Sequence, residues 1–223
     1  MWTGRASFER ALQALQDEVL VLGSMVDKAI GRSLDALKRL DQQAAREIIR
    51  DDFQINEKRF QIENQAIELI ATQQPMARDL RTIVAVLNVI VELERMGDYA
   101  EGIAKIVLMH GDQPLLKPLI DVPRMADKTR DMLQRSLRAF IERDLEAAER
   151  IAAEDDEVDA LYDHVYRDLI EIMFKDPTTI DRATWLLWVS HNLERIADRV
   201  TNICERVVYE VSGSIAEMNV SKY

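Results

Sequence analysis

The chain has 223 residues, 48% hydrophobic and 31% charged, with only 7 Gly and 5 Pro. Few breakers among many charges exclude an all-β sandwich and point to long helices. A formal net charge of -11 excludes non-specific nucleic-acid binding, which needs clustered Lys and Arg.

Cys204 is the only cysteine, so no intrachain disulfide can form and the chain suits a reducing compartment. Met1-Trp2-Thr3-Gly4-Arg5 lacks the apolar stretch of a signal peptide. No stretch reaches the ~18 apolar residues of a membrane span. The best, Ile83 to Val91, is interrupted at Asn88 and stops at Glu92. The expectation is a cytosolic protein that can sit peripherally on a membrane complex.

Six helices are expected in chain order. Leu12, Leu15, Val19, Leu22, Val26, Ile30, Leu34 and Leu37 fall at helical spacing and predict a first helix from Phe8 to Leu40. Asp41 reads as an N-cap. A second helix follows to about Thr72, carrying Ile48, Ile49, Phe53, Ile55, Phe60, Ile67 and Ile70, and Gln73-Gln74-Pro75 ends it. The third runs from about Met76 to His110. Gly111 to Pro123 holds Pro114, Pro118 and Pro123 and reads as a linker. The fourth runs from about Arg124 to Arg143, with Asp144 as the next cap. The fifth ends at Lys175-Asp176-Pro177, and the sixth reaches about Val211. A frayed tail is expected after Ser212-Gly213-Ser214.

The halves repeat. Arg32-Ser33-Leu34 returns as Arg135-Ser136-Leu137, and Asp41, Ala44, Ala45, Ile48 and Asp52 return as Asp144, Ala147, Ala148, Ile151 and Asp155, all 103 residues on. The third helices match at an offset of 100, Leu93-Glu94-Arg95 and Asp98 against Leu193-Glu194-Arg195 and Asp198. The reading is an all-α fold of two tandem three-helix bundles, 1–113 and 114–223, with approximate two-fold symmetry.

On the third helix, Val86, Ile90, Gly97, Ala100, Ala104 and Val107 mark a core stripe with Leu93. Glu101, Glu94 and Asp98 lie about 80°, 100° and 140° from Leu93, forming an acidic ridge beside that stripe. The second helix offers Asp52 and Asn56 at i, i+4, and the fifth offers Asp155 and Asp159. Like charges at this spacing destabilise a helix, whereas a hard cation reverses the sign because carboxylates are its ligands. A solvated acidic face is the alternative. His191 precedes Glu194 by three, but its repeat partner is Val91, which favours a packing or surface histidine. His110 and His164 read as surface residues, Cys204 as core, and Trp185 and Trp188 as packing anchors. No P-loop, glycine-rich phosphate cradle or nucleophile grouping stands out, so a non-enzyme is expected.

Pro75-Met76-Ala77-Arg78-Asp79-Leu80-Arg81, Leu93-Glu94-Arg95-Met96-Gly97-Asp98-Tyr99-Ala100 and Leu193-Glu194-Arg195-Ile196-Ala197-Asp198 with Asn202-Ile203 resemble the PhoU family over essentially the whole chain. The resemblance implies metal-cluster motifs at Glu94 and Asp98, Glu194 and Asp198, Asp155 and Asp159, and Asp52 and Asn56, with Glu101 on the same ridge. The ion implied is a divalent or trivalent cation such as iron, Mn, Mg or Zn. Asn56 stands where an acid is usual, and Ala197 and Arg199 depart from Gly-Asp-His. The resemblance also implies a negative regulator of phosphate uptake and of the phosphate-starvation response. Its implied partners are the ATPase subunit of a phosphate ABC transporter and a sensor histidine kinase, with homodimerisation. A metal-independent helical scaffold and a carboxylate-bridged metal store are the other readings.

Overall fold

Two turns with the same logic start the second helix of each half. At the first, Leu40 is left-handed (φ 53°) and Asp41 N–H returns to Ala36 O at 2.9 Å. The Asp41 carboxylate then accepts from Ala44 N–H at 2.9 Å. At the second, Arg143 is left-handed (φ 57°) and Asp144 N–H returns to Ala139 O at 2.9 Å. The Asp144 carboxylate accepts from Ala147 N–H, again at 2.9 Å. Buried Ser33 and Ser136 donate to Ile30 O and Leu133 O at the same 2.9 Å. The sequence repeat is a repeat of local structure. Asp41→Ala and Asp144→Ala are each expected to cost about 1 kcal/mol in urea unfolding, since each leaves a helix N–H unsatisfied. No loss in either variant would contradict the capping role.

The computed structural model describes residues 3–111, 113–214 and 218. Met1, Trp2 and most of the tail expected to fray lie outside the described residues. The elements are α1 (Thr3–Arg39), α2 (Gln42–Gln73), α3 (Arg78–His110), α4 (Asp121–Glu142), α5 (Leu145–Ala153), α6 (Asp155–Lys175) and α7 (Ile180–Ser212). A 3-10 turn, Pro177–Thr179, leads into α7.

Two helix boundaries are corrected. The fifth predicted helix is broken at Glu154, whose N–H bonds Ile151 O three residues back at 3.1 Å, while α2 runs through the equivalent Asp51. The fourth helix starts at Asp121, because Pro123 is tolerated in a first turn whose N–H groups have no intrahelical partner.

α3 packs on α1 and α2, and α7 packs on α4, α5 and α6. The two sets meet most extensively through α3 and α7, with a second contact between α1 and α4. α3 and α7 run antiparallel: Thr82 near the start of α3 bonds Glu210 near the end of α7, and His110 at the end of α3 meets Trp185 near the start of α7 with ring centroids 5.4 Å apart and planes tilted by 57°. Ile83, Val86, Val89, Ile90, Leu93 and Val107 are buried on α3, as are Val189, Leu193, Ile196 and Val200 on α7. One continuous hydrophobic core spans both sets. α3 and α7 are the spines expected from their apolar runs. Cys204 is fully buried, and burial pushes its thiol up to about 12, so it stays neutral core.

Burial departs from expectation in both directions. His110, expected at the surface, is 1% exposed. Trp188 is half exposed although Trp185 packs on the core. Phe53, Phe60 and Ile67 of α2 are exposed. Their positions lie far around the helix from buried Ile55, Ile62 and Leu69.

Candidate functional site

The first acidic ridge assembles as its spacing predicts. Glu94, Asp98 and Glu101 stand along α3, and Asp52 of α2 comes up against them beside Gly97. A Cβ at position 97 would lie 3.4 Å from Asp52 Oδ1 and 3.1 Å from Ile55 Cδ1, so the missing side chain lets α2 and its carboxylate approach α3. Asn56 donates to Asp52 Oδ2 at 2.9 Å. Lys105 donates to Glu101 at 2.5 Å. A cleft of about 250 Å³ opens here, lined by Lys28 and Arg32 of α1, Asp51, Asp52 and Ile55 of α2, and Gly97 and Glu101 of α3.

The electrostatics record an excess of negative charge. Burial, then Glu101, Asp98 and Glu94, push Asp52 up to about 6. Burial and Asp98 raise Glu94, and burial and Glu101 raise Asp98. Arg59 and Arg95 oppose the rise at Glu94, and Lys105 and Arg95 at Asp98, without cancelling it.

The second ridge uses equivalent positions with different company. Burial, then Asp198, push Glu194 up to about 7, with Asp159 adding to the rise and Arg195 and Arg199 opposing it. Asp198 is held by Arg195 Nη1 at 2.7 Å. His191 Nδ1 lies 3.3 Å from Glu194 Oε2, and burial and Arg195 keep its imidazole below its usual value. Asp155, one turn before Asp159, is 1% exposed and its charge is felt at Cys204.

Arg199, the departure from the family pattern, reaches across to α3 while its charge still acts on Glu194. Its Nη1 lies 3.4 Å from Glu92 Oε2 on α3, and Asn202 Nδ2 donates to the same oxygen at 3.1 Å. Arg199 therefore serves the seam between the halves.

Raised carboxylates give a pH dependence of known sign. A folded-state value above the unfolded one stabilises the fold below the unfolded value and loses that contribution as pH rises through the folded one. Asp52 at about 6 and Glu194 at about 7 place the loss between about pH 4 and 7. Chelator-treated protein is expected to be less stable at pH 8 than at pH 5 by about 1–2 kcal/mol, partial exposure reducing the full linkage value. Glu154, held down to about 2 mainly by its bond to Arg135, stays ionised throughout this range. Urea unfolding at the two pH values checks the difference, and equal stability would contradict it.

Tests of fit divide the two ridges. In the first half the donors are hard oxygens, with Asp52 destabilised as an anion by three neighbouring acids, which is the chemistry a hard cation relieves. In the second, Arg195 already neutralises Asp198. As the side chains stand, no group of three or more His, Cys, Asp or Glu converges on a metal position among the described residues.

Sequence reading missed a different polar cluster. Glu210 is 1% exposed; its Oε1 accepts from Arg143 Nε at 2.6 Å and from Thr82 Oγ1 at 2.7 Å. Arg143 Nη2 also donates to Thr82 Oγ1 at 3.0 Å. The cluster ties the α4–α5 turn and α7 to α3. Asp27 and Arg130, equivalent positions in the two halves, pair across α1 and α4 through two bonds of 2.8 and 3.0 Å. An acid in an apolar helix tail, opposite a charge at a left-handed turn, was the available signal.

These features define a class: an all-α protein built by duplication of a three-helix unit, with acid-lined seams between its helices. The PhoU domain matches residues 19–107 and again residues 122–207. The chain is 37% identical over 216 residues to the phosphate-specific transport system accessory protein PhoU homolog of Clostridium acetobutylicum, covering 96% of this chain and 99% of that one. It is 32% identical over 206 residues to phosphate-specific transport system accessory protein PhoU of Escherichia coli K12, covering 92% and 86%. The crystal structure of the phosphate transport system regulatory protein PhoU from Streptococcus pneumoniae superposes with a TM-score of 0.87 at 33% identity, covering 94% of this chain and 99% of that one. The chain belongs to the PhoU family.

Proposed function

We propose that the protein is an accessory regulator of phosphate transport, a negative regulator of phosphate uptake and of the phosphate-starvation response. The observation that carries this is similarity over nearly the whole chain to relatives named as phosphate-specific transport system accessory proteins, matched in both halves. The regulator works by contact and not by catalysis. Its partners are the ATPase subunit of the phosphate ABC transporter and a sensor histidine kinase, which it meets from the cytoplasmic side as a peripheral homodimer. Residues 1–113 and 114–223 are its two repeat units. No helix among the described residues is long and apolar enough to cross a membrane.

Metal at the acidic motifs is the finer part of the proposal. Asp52, Glu94, Asp98 and Glu101, with the Asn56 amide oxygen, would hold a divalent or trivalent cation in the first half. Bound there, the cation supplies positive charge that offsets ridge repulsion. Asp155, Asp159, Glu194 and Asp198 form the second set. There the Arg195–Asp198 pair favours metal-independent charge compensation.

Removal of the protein from its cell, followed by a phosphate-starvation reporter and phosphate uptake in phosphate-replete medium, tests the function. Both are expected to rise and to return when the full chain is supplied. An unaltered reporter and unaltered uptake would contradict the proposal.

A further inference from the structure

The two ends of the α3–α7 seam are equivalent in the repeat but are fastened differently. At one end Glu210, Thr82 and Arg143 form a buried, hydrogen-bonded clamp. At offsets of 100 and 103 their counterparts are His110, Arg182 and Leu40. The acid has become a histidine, and the cation of the turn has become an apolar residue.

His110 is 1% exposed, and neither ring nitrogen has a hydrogen-bond partner among the described residues. Its ring centroid lies 5.4 Å from that of Trp185 on α7. The chain turns back beside it: Gly111 takes a positive φ of 59°, and Gln113 N–H donates to His110 O at 3.3 Å. Beyond this turn Leu115, Leu116 and Leu119 of the linker pack against the core. His110 therefore sits where the first half hands over to the second.

A buried imidazole without partners favours its neutral form, because a charge there loses its hydration. Burial holds His110 below its usual value, and Arg182 of α7 adds to this. The carbonyls of Gln113 and of His110 itself pull the other way without outweighing burial. Asp176, before α7, acts on Arg182 in turn. Asp112 is two residues on in the sequence and lies outside the described residues. A value below the ordinary one of about 6.5 stabilises the closed seam above that pH, and the contribution is lost as pH falls.

We infer that the α3–α7 seam has a locked end and a releasable end, and that His110 is the proton-operated latch of the releasable one. Neutral, the ring packs by Trp185 and holds the last turn of α3 and the linker turn in place. The proton binds when the ring reaches water, so each fall in pH draws this end open while the clamp holds the other. The latch is independent of metal and stands apart from the phosphate response.

Hydrogen exchange of the full chain at pH 7.5 and 5.5, corrected for the intrinsic rate, tests this. Protection at 104–110 and 180–187 is expected to fall about 10-fold at the lower pH, the factor for one unit below an exposed histidine. Residues 78–86 and 205–212, at the clamp, are expected to change little. His110→Leu removes the proton acceptor together with two unsatisfied nitrogens, and is expected to hold the same protection at both pH values. Asp112→Asn is expected to behave as wild type. The ridge carboxylates titrate in all three proteins and cancel in the comparison. NMR of the wild-type ring needs no variant, and is expected to show His110 still neutral at pH 5.5. Unchanged protection at pH 5.5, equal loss at both ends, the same loss in His110→Leu, its abolition by Asp112→Asn, or a ring protonated within a closed seam would each overturn the inference.

Discussion

Arg143→Met is expected to destabilise the protein by about 3–5 kcal/mol, the cost of leaving a buried charge without its partner. The side chain of Glu210 is fully buried, while that of Arg143 is 26% exposed, so the loss falls on the carboxylate. Thr82 alone would remain to satisfy the oxygen it shares with Arg143. The consequence reaches beyond one contact because Thr82 belongs to α3, Arg143 to the α4–α5 turn and Glu210 to α7. The double variant Arg143→Met/Glu210→Leu is expected to recover much of the loss, since an apolar pair of similar volume often matches a buried ion pair. Urea unfolding of the two variants beside wild type measures this. A loss below about 1 kcal/mol in the single variant, the worth of an exposed pair, would contradict the clamp.

Gly97→Val is expected to cost about 2 kcal/mol and to disturb the first ridge, while Gly97→Ala stays close to neutral. Alanine gains about 0.5–1 kcal/mol of helix preference over glycine. Its Cβ would meet Ile55 at 3.1 and 3.2 Å, a crowding that the ends of the isoleucine side chain relieve by small shifts. Valine adds methyl groups where that slack is used up, and overpacking a fixed helix contact costs about 1–3 kcal/mol. The wedge also pushes Asp52, 3.4 Å from the same Cβ position, away from Glu94, Asp98 and Glu101. The Asp52 titration is expected to move down toward an ordinary carboxylate, read by NMR of the side-chain carbonyl. A stable Gly97→Val variant with an unmoved titration would show that Gly97 does not set the approach of α2.

Much of this architecture was legible because the repeat gave each reading a second instance. Asp41 and Asp144 carry the sequence signature of caps, and both accept the expected backbone bond. The apolar runs of the third and sixth predicted helices became α3 and α7, the central pair. Asp52, Glu94, Asp98 and Glu101 are readable as neighbours because i, i+4 spacing and an adjacent helix fix the geometry within a bundle, and their charges act on one another.

What was not legible depends on how the halves meet. His110 ends a helix and looked exposed, yet Trp185 of the antiparallel partner helix covers it. Glu210 and Arg143 lie 67 residues apart, and no local pattern pairs them. Phe53, Phe60 and Ile67 obey a helical period, but period alone does not say whether a face meets the core or solvent. The break at Glu154 follows no proline or glycine. It coincides with the bonds from Arg135 at 2.8 and 2.5 Å, which hold Glu154 against α4.

The two ridges show how one motif diverges after duplication. Equivalent acids are present, but the first half leaves Asp52 among three acids, whereas the second places Arg195 on Asp198. We propose that any cation binds more tightly in the first half. An anomalous-scattering map of crystals grown with Mn and without chelator tests this most directly. A peak is expected among the carboxylates of Asp52, Glu94 and Asp98, lost in Asp52→Ala. No peak there in wild type, or a peak only beside Glu194, would contradict it.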